Sequence, residues 1–115
     1  MKAVILCLLL CTFGTAYSQY SATTVLFIQC YFEIPSKLEM LQLEVDLRNH
    51  PKTKLVRLDF HSQRAFILTK NLSEISKNEV LAWFEEYSET VSCVQIGVKG
   101  IDKIEPYPFT HCDDE

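Results

Sequence analysis

The chain has no second long hydrophobic run, no cluster of lysine and arginine, no internal repeat and no low-complexity segment. Beyond the N-terminal run no membrane anchor is expected, because a spanning helix takes about 20 apolar residues. Without a basic cluster, nucleic acid and anionic membrane are poor partners. Catalytic signatures are missing too: there is no Gly-x-Ser-x-Gly, no His-Glu-x-x-His and no phosphate loop. Neither an enzyme nor a cofactor is expected. The Glu85/Glu86 pair reads as a solvated helix face.

What is present begins at the N-terminus. Lys2 supplies a positive start, and Ala3 to Phe13 follow without a charge. That run has the length of a signal-peptide core and is too short to cross a bilayer. Ala16 and Ser18 fit the −3 and −1 positions of a cleavage site, which places the cut before Gln19, with a cut after Ala16 as second choice. The expected organisation is a signal peptide at 1–18, one α+β domain at 19–104 and an extended acidic tail at 105–115. The whole chain carries a net −4, and losing Lys2 makes the exported product more acidic. The expected location is therefore extracellular. Cys7 and Cys11 leave with the leader, so Cys30, Cys93 and Cys112 meet an oxidising compartment. Three thiols allow one internal disulfide and one leftover. Asn71-Leu72-Ser73 is an N-glycosylation sequon.

Hydrophobic patterning gives the elements. Thr23 to Glu33 is rich in β-branched and aromatic residues and reads as a central strand ended by Pro35. Ser36-Lys37-Leu38-Glu39 is a capping box, which predicts a helix from about Leu38 to Arg48. Yet Leu41, Leu43, Val45 and Leu47 also alternate with polar residues as a half-buried strand does, so both readings stand. Lys54–His61 and Arg64–Lys70 form a hairpin. Ser76-Lys77-Asn78-Glu79 is a second capping box, with Val80, Trp83, Phe84 and Tyr87 on one helical stripe. Cys93 to Lys99 is a last strand. The order is βαββαβ, the ferredoxin-like arrangement of helices on one sheet face. The alternative is an antiparallel sheet with a single helix at 77–90.

Leu47-Arg48-Asn49-His50-Pro51, followed by Val56 to Ile67 with Asp59 six positions before Ala65, resembles the centre of heavy-metal-associated domains. That resemblance implies the ferredoxin-like fold. In the family a Cys-x-x-Cys loop opens the first helix and clamps a soft metal. Ser36 and Glu39 stand at the corresponding positions, so the metal motif is not carried over. Leu58-Asp59-Phe60 and Val80-Leu81-Ala82-Trp83-Phe84-Glu85 are similar in layout to the activation segments of secreted carboxypeptidases. This second resemblance implies a propeptide-like protease inhibitor.

His50, His61, His111 and the three cysteines are the soft or borderline ligands. None has ligand spacing except the adjacent His111-Cys112, so no metal site is assigned. In a ferredoxin-like order the first and last strands are antiparallel neighbours, which brings Cys30 towards Cys93. Cys93 with Cys112 is the alternative pair. If Cys30 takes Cys93, Cys112 is left on the tail for an intermolecular bridge. Val25, Phe27 and Tyr31 share the face of the first strand that the helices do not cover. They form a candidate partner surface unless the tail, with Tyr107 and Phe109, covers them. The leading expectation is a secreted, non-enzymatic binding or interaction protein that meets a protein partner or a second copy. The alternatives are a degenerate extracellular metal-binding domain and a propeptide-like inhibitor.

Overall fold

The computed structural model describes residues 23–110 and Cys112. The expected signal peptide lies outside those residues. Four strands and two α-helices follow in the order β1 (Leu26–Tyr31), α1 (Lys37–Arg48), β2 (Thr53–Asp59), β3 (Arg64–Thr69), α2 (Lys77–Trp83) and β4 (Ser92–Val98). A short 3-10 helix, Glu85–Thr90, joins α2 to β4.

Local chemistry explains the helix starts. The Ser36 hydroxyl accepts from the Glu39 N–H at 3.1 Å, and the Ser76 hydroxyl accepts from the Glu79 N–H at 3.1 Å. Each serine satisfies one of the donors that a helix N-terminus leaves open. The stretch at 37–48 is therefore helix. The strand alternative, and with it the sheet carrying a single helix, is corrected. The apolar alternation is resolved by splitting it between two faces: Leu43 and Leu47 are buried with Met40, whereas Leu41 and Val45 face outward with Leu38.

The second helix is shorter than its stripe predicts. Its α-helical part ends at Trp83, and Glu85 takes a left-handed φ of 55°, which breaks the helical ladder. The 3-10 turns that follow still deliver Tyr87 to the core margin. There its hydroxyl donates to a Glu39 carboxylate oxygen in the first turn of α1. This bond, the largest cause, holds the Tyr87 hydroxyl well above the usual tyrosine range.

All strand pairs are antiparallel, and the sheet order is β2-β3-β1-β4. Each helix crosses over one intervening strand. Alternation along the strands then sorts the side chains. Ile28, Cys30, Val56, Ala65 and Ile67 face the helices and close one core with Met40, Leu43, Leu47, Val80, Trp83 and Phe84. The β2–β3 turn is built by Asp59, whose carboxylate accepts from the Ser62 N–H at 2.8 Å and the Ser62 hydroxyl at 2.5 Å. Those two bonds lower the Asp59 pKa. Gln63, at a left-handed φ of 54°, ties this turn to the exit of β1. Its carbonyl accepts from Phe32 N–H at 2.9 Å, and its side-chain oxygen accepts from Ile34 N–H at 2.7 Å.

The opposite face is packed at one point by a missing side chain. A Cβ on Gly97 would lie 2.6 Å from Cζ of Phe27, a ring with 0% exposure. Gly97→Ala is expected to destabilise the fold by about 1–3 kcal/mol through overpacking. Urea unfolding of the two proteins would measure it, and an unchanged midpoint would show that the ring relocates freely.

Candidate functional site

A sheet with helices on one side leaves its other side to be covered. Here that side presents Phe27, Gln29 and Tyr31 from β1, Gln95 and Gly97 from β4, and Arg57, Arg64 and Phe66 from β2 and β3. The chain after β4 turns back at Gly100 and runs over it as a strap.

Two buried or half-buried amides receive the strap. Gln29 Nε2 donates to Gln95 Oε1 at 2.7 Å and to the Glu105 carbonyl at 2.7 Å. Gln95 Nε2 donates to the Lys103 carbonyl at 3.0 Å, and the Glu105 N–H donates back to Gln95 Oε1 at 3.2 Å. The main chain of the strap is thus read as an extra strand would be, by side chains instead of a backbone ladder. Further along, the Phe109 N–H donates to the Tyr31 hydroxyl at 2.9 Å, and the two rings pack with centroids 4.7 Å apart. Tyr107 meets Tyr31 edge-on at 6.2 Å. A disulfide between Cys93 and Cys112, 19 residues apart in sequence, closes the loop. Cross-linking a loop of that size contributes about 3 kcal/mol in the chain-entropy account.

These contacts decide between alternatives that the sequence left open. Of the two pairings offered, the structure holds Cys93–Cys112 and leaves Cys30 unpaired. Cys30 faces the helices, whereas Cys93 sits beside a bulge in the β1–β4 register, at a left-handed φ of 56°, and bonds towards the strap. With Cys112 consumed, no thiol is left on the strap for an intermolecular bridge. Nor is the first strand's outer face open: Phe27 is fully buried, and Val25 and Tyr31 are half-buried. Their cover is the strap and the turn before it.

Between the strap and the β2–β3 hairpin lies a groove of about 840 Å³, within the size range of ligand clefts. Gln29 and Phe66 line it with Arg57 and Arg64, and Ile104 and Tyr107 line it from the strap. The Arg64 guanidinium lies 4.4 Å from the centre of the Tyr107 ring and donates through Nε to Ser62 at 3.1 Å. The carboxylates that also border the groove are engaged locally. Asp59 holds Ser62, Glu105 accepts from the Thr110 N–H at 2.9 Å, and Glu44 accepts from the Leu58 N–H at 3.1 Å. Among the described residues Arg57 forms no ion pair, so its exposed guanidinium is the charge the groove holds in reserve. Neither arginine stood out in the sequence; only the path of the strap makes them neighbours of Tyr107.

The positions that match the metal loop do other work. Ser36 is a helix cap, and Glu39 receives Tyr87. His50 packs on Trp83 at 4.7 Å, with Nδ1 accepting from the Lys52 N–H at 3.1 Å. Among the described residues no group of three or more His, Cys, Asp or Glu side chains is placed to hold a metal ion, and no helix is long and apolar enough to cross a membrane. Asn71 is exposed in the β3–α2 loop, its side-chain oxygen accepting from the Thr24 N–H at 3.0 Å. A second surface feature is the outward stripe of α1, where Leu38 is 69% and Val45 53% exposed. No family model, curated protein or solved structure matches this chain.

Cys30 is the one unpaired cysteine among the described residues, and burial pushes its thiol pKa up to about 12. Two outcomes follow. Iodoacetamide should leave Cys30 unmodified in the native protein and alkylate it after unfolding in guanidinium, read by intact mass. The folded pKa is raised, so the stability gained from keeping the thiol neutral is complete below the unfolded value of 9.0 and is lost as pH rises towards 12. Native alkylation at neutral pH would contradict the burial.

Proposed function

We propose that this chain is a secreted, non-enzymatic binding protein with a ferredoxin-like domain, and that the groove beside the strap is its contact site. The sheet order β2-β3-β1-β4, with one helix in each crossover, supports the ferredoxin-like reading. The leader-like start, the Asn71 sequon and the Cys93–Cys112 disulfide support the secretory route. The observation that carries the binding site is Arg57, a guanidinium without an ion-pair partner among the described residues, at the margin of a groove lined by Phe66, Ile104 and Tyr107. Such a site fits an extended segment of a protein partner in which an acidic residue lies next to an aromatic or aliphatic one. The carboxylate takes Arg57, and the apolar side chain takes Phe66. This reading is favoured over metal carriage and over protease inhibition because the groove offers this donor and apolar set ready-made.

Anilinonaphthalene sulfonate, an aromatic anion, is a suitable first probe. Its fluorescence should rise and shift to the blue on titration with the purified protein. Arg57→Ala should weaken binding about tenfold or more, the loss of one charged hydrogen bond, whereas Leu41→Ser on α1 should leave it unchanged. Retained binding in Arg57→Ala with loss in Leu41→Ser would move the contact to the helix stripe.

The route is checked separately. Intact mass of the protein from the medium of expressing cells should show a chain starting at Gln19, one disulfide, and a glycan on Asn71 that an amidase removes. Full-length product retained in the cytosol would overturn the secretory reading.

A further inference from the structure

The two margins of the sheet are built differently. β2 carries Lys54, Arg57 and Asp59 along its length. Its outward main-chain groups are met by α1: the Leu58 N–H donates to Glu44 Oε2 at 3.1 Å, and Arg48 Nη2 approaches the Val56 carbonyl at 3.5 Å. Glu44 and Arg48 are paired with each other at 3.3 Å. An incoming strand would meet charge and find those groups taken, which is how exposed edges are defended against pairing.

β4 is defended only at its ends, by the Asp102 carboxylate on the Val98 N–H and by the bulge beside Cys93. Ser92–Val98 contains no charged residue and no proline. The Lys99 N–H donates to the Val25 carbonyl at 2.8 Å, so alternation places Phe27–Gly97 and Gln29–Gln95 in bonded pairs. The main-chain groups of Val94, Ile96 and Val98 then face away from β1. The Val98 N–H shows this directly by donating to Asp102 Oδ2 at 2.7 Å. Among the described residues, the N–H and C=O groups of Val94 and Ile96 meet no partner on that side.

We propose that β4 is the docking edge for a second copy of this chain, the two β4 strands pairing antiparallel about a twofold axis at Gln95. That register sets Val94 opposite Ile96 of the second copy, and the same again by symmetry. Each opposition exchanges two main-chain hydrogen bonds and makes a β-branched cross-strand contact. Charge complementarity selects this occupant. The 3-10 helix leading into β4 exposes Glu85, Glu86 and Glu89, and the turn leading out exposes Lys99 and Lys103. Antiparallel pairing lays the acidic approach of one copy beside the basic exit of the other, twice. Asp102 stands among those lysines, with its carboxylate turned to Val98. The bulge opposite Tyr31 and the Asp102 bond bracket the free stretch, so the interface is short and its affinity depends on both the ladder and the charges.

Sedimentation equilibrium of the disulfide-intact secreted protein, from micromolar to millimolar concentration, tests this. A monomer–dimer equilibrium that weakens with added salt is expected. Lys99→Glu with Lys103→Glu should weaken it about tenfold or more, and adding Glu85→Lys with Glu89→Lys should restore it. Amide exchange at Val94 and Ile96 should slow as protein concentration rises. A monomer at every concentration overturns the proposal. So does a dimer in which Val94 and Ile96 exchange at a rate independent of concentration, or one indifferent to the charge reversals.

Discussion

The central strand has two apolar faces, and that constraint organises the molecule. Two short helices cover only one side of β1. Phe27 and Tyr31 on the other side require a second cover. The chain after β4 provides it without forming secondary structure. An irregular segment laid on a sheet must still satisfy its own amides and carbonyls. Gln29, Gln95 and the Tyr31 hydroxyl meet that need, and the Cys93–Cys112 bond limits how far the segment can stray. The groove exists because the strap crosses the β1–β4 half of the face and leaves the β2–β3 half uncovered.

Much of the architecture was legible from side-chain periodicity and caps. Ser36 and Ser76 announced two helix starts, and both bond three residues ahead as a capping serine does. The hairpin was visible as two alternating runs around a short polar turn. The residues between 38 and 48 were ambiguous for a physical reason: α1 has a second apolar stripe facing solvent, so its pattern matches a helix and a strand at once. The end of α2 escaped notice because a left-handed Glu85 has no composition signature.

The candidate site was far less legible. Phe27 and Tyr31 lie on the face away from the helices, and what covers them depends on the path of the strap. That path is set by long-range amide contacts, such as Gln29 to Glu105, that no local pattern encodes. Cysteine pairing stayed open between two choices for a related reason. Proximity along neighbouring strands favoured Cys30 with Cys93, yet the two thiols face different sides, and β4 is distorted where Cys93 sits. A disulfide depends on the direction of its side chains more than on strand adjacency.

Gln63 draws together parts that a diagram of strands would keep apart. One residue with a strained backbone closes the β2–β3 turn through Phe60 and receives the amides of Phe32 and Ile34 on either side of Glu33. Gln63 therefore fastens the hairpin tip to the approach to α1, next to the Tyr31–Arg64 pair of the β1–β3 ladder. The tip and the segment leading to α1 should open and close as one cooperative unit.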